Sequence, residues 1–247
     1  MNLVLRRLGV IACMAGLWNS GARAQHRKVA YGAESDFNSE YVWRGIVVDD
    51  RPVSETSAWV DAFGLNFGAW SSFASSSIAG RPRLLVSGLT LGYSREWNKL
   101  TVEPALDVYR WREQARARNT MESSVRLQYN SGWLHVFSEH AVDILSDKGA
   151  YFGEGGVHLE RHITKHSETA LEMSTGFGSS HFNEVNIGLG KSALNFLRSE
   201  ISFTEHFTPH VYVRPHFVFI HIPDRQIREE LESRNIVTFG FAMGVEF

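Results

Sequence analysis

Alternation of apolar and polar residues, repeated in segments along almost the whole chain, is the feature that most restricts its fold. The last segment shows it plainly, because Phe239, Phe241, Met243, Val245 and Phe247 alternate with glycine, alanine and glutamate. Successive side chains of a β-strand point to opposite faces, so this segment is predicted to be a strand with one apolar face. A helix would spread the same apolar residues around its whole circumference.

Twelve segments with this pattern follow one another, with no helical period and no Pro/Ser-rich linker, so we predict one all-β domain over 25–247. They are residues 29–47, 59–73, 84–97, 100–111, 120–130, 133–145, 150–163, 169–179, 182–192, 196–207, 210–222 and 236–247. The count is open by two in either direction, because 29–47 could contain a break and Pro215 interrupts another segment. Proline costs a ladder hydrogen bond and marks sheet edges or bulges. A closed barrel has no edge, so we expect a bulge at Pro215.

The polar faces of these segments are rich in charge, glycine and serine, which bears on the direction in which the apolar faces point. A soluble sandwich or barrel would bury twelve apolar faces in one core without a covering helix. The inverted arrangement, with apolar faces toward lipid, is typical of a transmembrane antiparallel up-and-down β-barrel. Tryptophans near segment ends favour the membrane barrel, since aromatic girdles lie at the membrane interfaces. The predicted girdle residues are Trp43, Trp59, Trp97, Trp111 and Trp133.

The N-terminal residues predict export. Arg6 and Arg7 precede a short apolar run, and small residues stand at Ala22 and Ala24. This is the layout of a signal peptide over 1–24, cleaved after Ala24, and the run is too short to span about 30 Å of hydrocarbon. The alternative is lipidation of Cys13, the only cysteine, at the lipobox-like stretch 10–13. Together with the strand pattern, export predicts location in an outer membrane.

Other classes of function find little support in the sequence. A formal charge of −2 and the lack of a basic patch argue against nucleic acid. His158, His162 and His166 would meet on a helix, but on a strand residues four apart are about 13 Å apart, so we predict no metal site from them and no cofactor. Ligands from neighbouring strands could still converge. No Gly-x-Ser-x-Gly occurs, and in Ser138-Glu139-His140 the glutamate faces away from the serine and histidine, so we predict that the protein is not an enzyme.

The N-terminal hairpin resembles a known family. "SEYVWRGI" (39–46), an acidic turn with a proline, and "GLNFGAWSS" (64–72) are similar to the start of the TorF family of porins. The resemblance covers residues 35–72 and departs from the family pattern after Gly45, where Val47 and Val48 replace the usual Ser-Gln. It implies an outer-membrane barrel acting as a porin and supplies no substrate. Two alternatives stay open: a barrel enzyme acting on outer-membrane lipids, and a plugged structural barrel.

The polar faces predict the lining of a narrow channel for small solutes or ions. The pore-lining residues expected are Arg44, Glu103, Asp107, Glu122, Arg126, Glu160, Glu172, Arg198, Glu200, Arg214 and His216. Glu139, Asp143, Glu184 and Glu246 add to an acidic excess, from which we expect a weak cation preference that declines as histidines protonate near pH 6.5. Neutralisation of the charges by Arg–Glu pairs across the lumen is the alternative.

The chain end and one late connection carry the remaining expectations. Phe239, Phe241, Met243, Val245 and Phe247 match the signal that the outer-membrane assembly machinery reads in a last strand, so that machinery and membrane lipids are the expected partners. Residues 222–235 form the longest late connection, and their Glu/Arg pairs at helical spacing favour a short helix capping the pore. A solvated loop is the alternative.

Overall fold

Twelve long antiparallel strands close into a barrel in the computed structural model, which describes residues 29–75, 82–112 and 119–247. The elements are β1 (Val29–Asn38), β2 (Tyr41–Trp43), β3 (Ile46–Asp49), β4 (Val53–Ala62), β5 (Leu65–Ala74), β6 (Arg83–Tyr93), β7 (Arg95–Trp97), β8 (Leu100–Trp111), β9 (Asn119–Ser131), β10 (Leu134–Asp143), β11 (Tyr151–His162), β12 (Ser167–Gly178), α1 (Ser180–Asn186), β13 (Ala193–His206), β14 (Val211–His221), α2 (Arg225–Glu230) and β15 (Asn235–Glu246). The short β7 extends β6, and β2 with β3 forms a separate hairpin. The predicted transmembrane-type barrel fold is confirmed. The proposed signal peptide lies outside the described residues.

Each barrel strand pairs with the next one along the chain, and β1 pairs with β15 to close the ring. The closing register places Phe37 opposite Phe241 and Gly32 opposite Glu246. Tight turns join the strands at one end, which we call the turn end. The β2–β3 hairpin, α1 and α2 lie in connections at the opposite end, which we call the loop end. No helix of the described residues is long and apolar enough to span a membrane.

The number of barrel strands agrees with the prediction, but three segments differ from the strands of the structure. Segment 29–47 contains the break that its length allowed, since it holds β1, β2 and the start of β3. Segment 182–192 is not a strand, since it contains most of α1, whose N-cap is Ser179. Segment 59–73 is the end of β4 and nearly all of β5, joined at Phe63 and Gly64. Both turn residues have positive φ (54° and 86°), as in the two-residue turns that match strand twist. The bulky Phe63 hid a turn that Asn-Gly would have revealed.

The predicted bulge at Pro215 is also wrong. Proline lies opposite Phe241 in an unbroken β14–β15 register. On the other side, the pairing with β13 is interrupted between Ser202–His216 and Glu205–Val213, yet the register is the same before and after the gap. Proline lacks one backbone N–H donor. The pairing of β14 with β13 is therefore interrupted near Pro215, but neither strand contains an extra residue.

The apolar strand faces point outward and the polar faces inward. Outward residues such as Leu89 and Phe239 are 50% and 66% exposed, whereas the inward Thr90 is 1% exposed. Large apolar side chains therefore cover the outside, and hydrogen-bonding side chains fill the inside. This inversion of the usual soluble pattern is typical of barrels that contact lipid.

The predicted tryptophan girdle is only partly correct. Trp97 and Trp133 are exposed at the turn end, near the exposed Phe63 and Phe207. Trp43 and Trp111 are instead buried inside the barrel. Trp59 lies on the inward face and fills the space beside Gly32, where a Cβ would be only 2.5 Å from its ring. Nearness to a strand end was readable from the sequence, but the face was misassigned.

Candidate functional site

The inward faces of the strands form a charged interior in which acidic residues predominate. Ten of the predicted pore-lining residues lie on these inward faces: Glu103, Asp107, Glu122, Arg126, Glu160, Glu172, Arg198, Glu200, Arg214 and His216. The same faces carry Glu139, Asp143 and Glu246, and residues that the sequence analysis missed: Glu34, Asp36, Glu55, Asp61, Glu154 and Glu168. Most of these were missed because the early segments were divided wrongly. Glu184 is not among them, since it is exposed on α1.

Each arginine of the barrel interior contacts carboxylates. Arg198 donates to Glu172 at 2.7 Å and to Glu200, and Arg126 donates to Glu139 at 3.2 Å. Arg214 donates to Glu34 at 2.8 Å, across the junction between the first and last strands. The Arg198–Glu200 pair lies within β13, whereas the other pairs join different strands along the inner face of the barrel. They neutralise part of the acidic charge and fill the middle of the barrel with ordered side chains.

Arg44 is not on a strand, although it falls within the predicted strand segment 29–47. It occupies the turn of the β2–β3 hairpin with φ 52°, followed by Gly45 with φ 82°. From there its guanidinium donates two hydrogen bonds to Glu122 on β9, at 2.8 and 2.7 Å. The same group lies 4.6 Å from the ring centroid of Phe152. The bidentate pair anchors the hairpin to the inner wall of the barrel.

The hairpin, α1 and α2 build a hydrophobic core inside the loop end, which we call the plug. Trp43 lies against Trp111 with ring centroids 5.2 Å apart and against Phe182 of α1 at 5.7 Å. Ile227 of α2 is fully buried in the same cluster. Residues 222–235 thus include the expected short helix, and its apolar side faces into the barrel. Twelve outward-facing apolar strands leave a polar interior, and the plug brings its own apolar residues to close one end.

Ion pairs outside the spanning strands hold the plug in place. Asp49 of the hairpin accepts from Arg51 at 2.6 Å and from Arg83 of β6 at 2.6 Å. Lys191, after α1, donates to Asp224 before α2 at 2.7 Å. Hydrogen bonds from Arg51 lower the pKa of Asp49, and the hydrogen bond from Lys191 lowers the pKa of Asp224. Both tethers are therefore ionic at neutral pH.

A small cavity lined by both apolar and charged side chains lies between the plug and the charged middle of the barrel. Its volume is about 70 Å³, and Arg44, Asp107 and Glu139 are among its lining residues. That is room for a few water molecules. Between the cavity and the loop end lies the buried core of the plug. The described conformation is therefore a closed one.

The residues of the expected assembly signal all lie on the outward face of β15. Phe239, Met243 and Phe241 are 66%, 49% and 39% exposed. Val245 and Phe247 are exposed nearer the turn end, and the Phe247 ring stacks on Tyr31 and His210 at centroid distances of 5.3 and 4.8 Å. The terminal residue thus lies at the junction where the barrel closes.

Solved porin structures share this architecture. The NanC porin matches with a TM-score of 0.52 and 11% identity, over 88% of this chain and 98% of its own. The KdgM porin in complex with disordered oligogalacturonate matches with a TM-score of 0.51 and 9% identity, again over 88% and 98%. The fold is that of an outer-membrane porin barrel. Neither family models nor curated proteins give a match. At these identities the likeness concerns the fold alone.

Proposed function

We propose that the protein is an outer-membrane channel for small cations, closed at the loop end by the plug in the conformation described. The single observation that carries this proposal is the acidic excess on the inward faces of a porin-type barrel. Against the acidic residues stand Arg83, Arg126, Arg198 and Arg214 on the strands and Arg44 on the hairpin. A narrow lumen with low-dielectric walls concentrates ions whose charge is opposite to its own net charge. Because this lumen is acidic, those ions are cations.

The same charge balance argues against an anionic solute. Oligogalacturonate, named with the KdgM porin, is a polyanion. A lumen in which carboxylates outnumber guanidinium groups would repel such a chain. The five inward arginines of the described residues are engaged with glutamate or aspartate. The proposed solutes are therefore monovalent cations or small cationic molecules.

Location and family are part of the proposal. The leader over 1–24 and the barrel fold support the outer membrane, with the turn end toward the periplasm, where such barrels keep short turns and both termini. The sequence resemblance over residues 35–72 supports membership of the TorF family. Tyr41, Arg44 and Gly45 carry that resemblance, and in the fold they belong to the plug. The resemblance then concerns the part of the channel that closes it.

Reversal potentials across a planar bilayer test the channel. The barrel with residues 41–49 replaced by a short Gly/Ser linker should conduct more than the full chain, and its reversal potential under a KCl gradient should indicate cation preference. An Arg225→Ala variant is the control, because its pair with Glu229 lies on the outer side of α2, with both side chains exposed. Anion preference would overturn the proposed selectivity. Absence of conductance in both full chain and linker variant would favour a plugged structural barrel.

One observation favours a second candidate, an enzyme acting on lipid esters. On the outward face of β10, Ser138 Oγ lies 2.9 Å from His140 Nε2, and His140 Nδ1 lies 2.7 Å from Tyr151 Oη on β11. Glu139 points inward, as expected, so the third group comes from the neighbouring strand instead. A serine, a base and a group that orients the base are the parts needed for nucleophilic catalysis.

In this candidate reaction the serine oxygen attacks an acyl ester carbonyl while His140 accepts its proton. The lipid alcohol leaves with that proton, and water then releases the fatty acid and restores Ser138. Labelling of the barrel in phospholipid vesicles by a fluorophosphonate probe, with fatty-acid release, tests it. Ser138→Ala should abolish both, whereas Ser71→Ala, on an outward serine bonded to Thr56, should change neither. An unlabelled wild-type barrel would rule this activity out.

A further inference from the structure

A histidine and two glutamates converge inside the turn end, where β11 runs into β12. Glu160 and His162 are two residues apart on the inward face of β11, and Glu168 of β12 is the direct cross-strand neighbour of His162. One ligand atom from each of the three lies within 4.8 Å of the others. Cross-strand neighbours and residues two apart on one face are the nearest partners that a sheet offers.

The three side chains lie close enough to share one ion. His162 Nδ1 is 3.3 Å from Glu168 Oε2, and His162 Nε2 is 3.5 Å from Glu160 Oε1. When several donor atoms bind one ion at about 2.0–2.2 Å, the distances between those donor atoms are similar to the two distances just given. The imidazole thus lies between the two carboxylates, and one of its nitrogens and one oxygen of each carboxylate lie within 4.8 Å of one another.

Unpartnered oxygen atoms supply an independent reason to expect a cation. Glu168 is 3% exposed, yet its Oε1 has no hydrogen-bond partner among the described residues. Oε2 of Glu160 is likewise buried without a hydrogen bond. Two carboxylates buried side by side repel each other, and a buried charge is costly unless it is paired or coordinates a metal. Both orphaned oxygens therefore call for positive charge between the two strands.

We propose that Glu160, His162 and Glu168 bind a divalent transition-metal ion, Zn²⁺ being the best fit. An imidazole nitrogen among carboxylate oxygens suits zinc, nickel or copper better than calcium or magnesium, which take oxygen ligands alone. Three protein ligands leave a fourth position for water. His158 lies beside the site, with Nε2 4.0 Å from Glu160 and Nδ1 3.5 Å from Glu172.

This site differs from the one that histidine spacing suggested. His166 lies in the exposed turn between the strands, and its backbone nitrogen bonds Thr164 rather than joining the cluster. His158 lies beside Glu160 but is not one of the three proposed ligands. The proposed ligands come from two neighbouring strands, Glu160 and His162 from β11 and Glu168 from β12. Histidine spacing within one strand could not indicate them. The site does not require the barrel to conduct, so it stands or fails apart from the channel.

Zn²⁺ titration of the full-length barrel in detergent, followed by calorimetry, tests the proposal. We expect saturable binding of one ion per chain, weakened by more than about tenfold in Glu168→Gln and in His162→Asn, since even residues behind the ligands change metal affinity by about 10–100-fold. His166→Asn, removing a nearby histidine outside the cluster, should bind as the wild type does.

The contradicting result is a specific one. If a protonated imidazole simply bridges the two glutamates, the wild type will show no saturable binding, and His162→Asn will lower the unfolding temperature equally with chelator or with Zn²⁺. Equal affinity in the wild type and Glu168→Gln would also overturn the site. Co²⁺ offers a second readout, because its visible absorption should change only in variants that keep all three ligands.

Discussion

At the scale of single residues, Arg44 shows how far a sequence can be taken. Its match to a family pattern marked it, and its charge placed it correctly inside the barrel. The strand assignment failed because the positive φ of Arg44 and Gly45 makes a turn. Only Gly45 hinted at this, since glycine adopts such angles freely and arginine does not. Partners such as Glu122, 78 residues away, depend on barrel closure and could not be read from spacing.

Breaking the Arg44–Glu122 pair should destabilise the barrel strongly. Both side chains are largely buried, at 13% and 9% exposed, so Arg44→Gln leaves an uncompensated carboxylate inside. We expect the free energy of unfolding to fall by about 3–5 kcal/mol, measured by urea unfolding in micelles. Arg225→Ala is the control, since both side chains of its pair with Glu229 are exposed and its loss should leave the free energy of unfolding nearly unchanged. Partial recovery in the Arg44→Gln, Glu122→Gln double variant would confirm coupling, and equal losses in both single arginine variants would contradict it.

At the scale of elements, the long strands were predictable and the inserted pieces were not. Segments such as 100–111 and 236–247 agree with β8 and β15 within a residue or so, because alternation persists over a whole strand. The β2–β3 hairpin also alternates, so the sequence merged it with β1. Segment 182–192 alternates by chance, while its serine N-cap was overlooked. Apolar residues that face lipid and apolar residues that pack in the plug give the same sequence pattern. The plug could therefore not be predicted from the sequence.

The tethers of the plug should fail in acid. An unfolded aspartate has a pKa of about 3.9, and the folded pKa values of Asp49 and Asp224 are lower, so their ion pairs contribute fully above about pH 4 and are lost as pH falls through the folded values. We expect conductance to rise, and the fluorescence of the buried Trp43 and Trp111 to shift toward the exposed state, as the pH falls below about 4.

Protonation of interior carboxylates would accompany this change, so a neutral-pH mimic is needed. The double variant Asp49→Asn, Asp224→Asn should show part of the acid behaviour at pH 7. Arg225→Ala, which removes only the exposed pair on the outer side of α2, should retain the wild-type response. A plug that opens in acid in the wild type but stays closed in the double variant at neutral pH would assign the opening to the barrel interior instead.

At the scale of the whole molecule, Phe247 takes part in the junction between the first and last strands that closes the ring. Phe247 donates a backbone hydrogen bond to Tyr31 at 2.9 Å and accepts one at 3.3 Å, and its ring packs on Tyr31 and His210. The sequence predicted that this residue belongs to an outward apolar face, since period-two alternation extends to the last position. It could not predict the partner, because pairing of the last strand with the first is a property of the closed barrel.

Deleting Phe247 should therefore have two separable effects. Loss of two hydrogen bonds and one stacked ring should lower stability only modestly, by about 1–3 kcal/mol, when purified chains refold in detergent. If the assembly machinery reads the terminal aromatic, the amount of barrel in the outer membrane of cells should fall far more, by about tenfold or greater, measured as heat-modifiable protein on gels. Phe207→Ala, which removes an exposed aromatic of the turn end outside the last strand (67% exposed, against 40% for Phe247), should leave cellular assembly unchanged. Should the deletion reduce refolding in detergent as severely as assembly in cells, the residue would be a structural closure element, and the reading of Phe239, Phe241, Met243, Val245 and Phe247 as a recognition signal would be wrong.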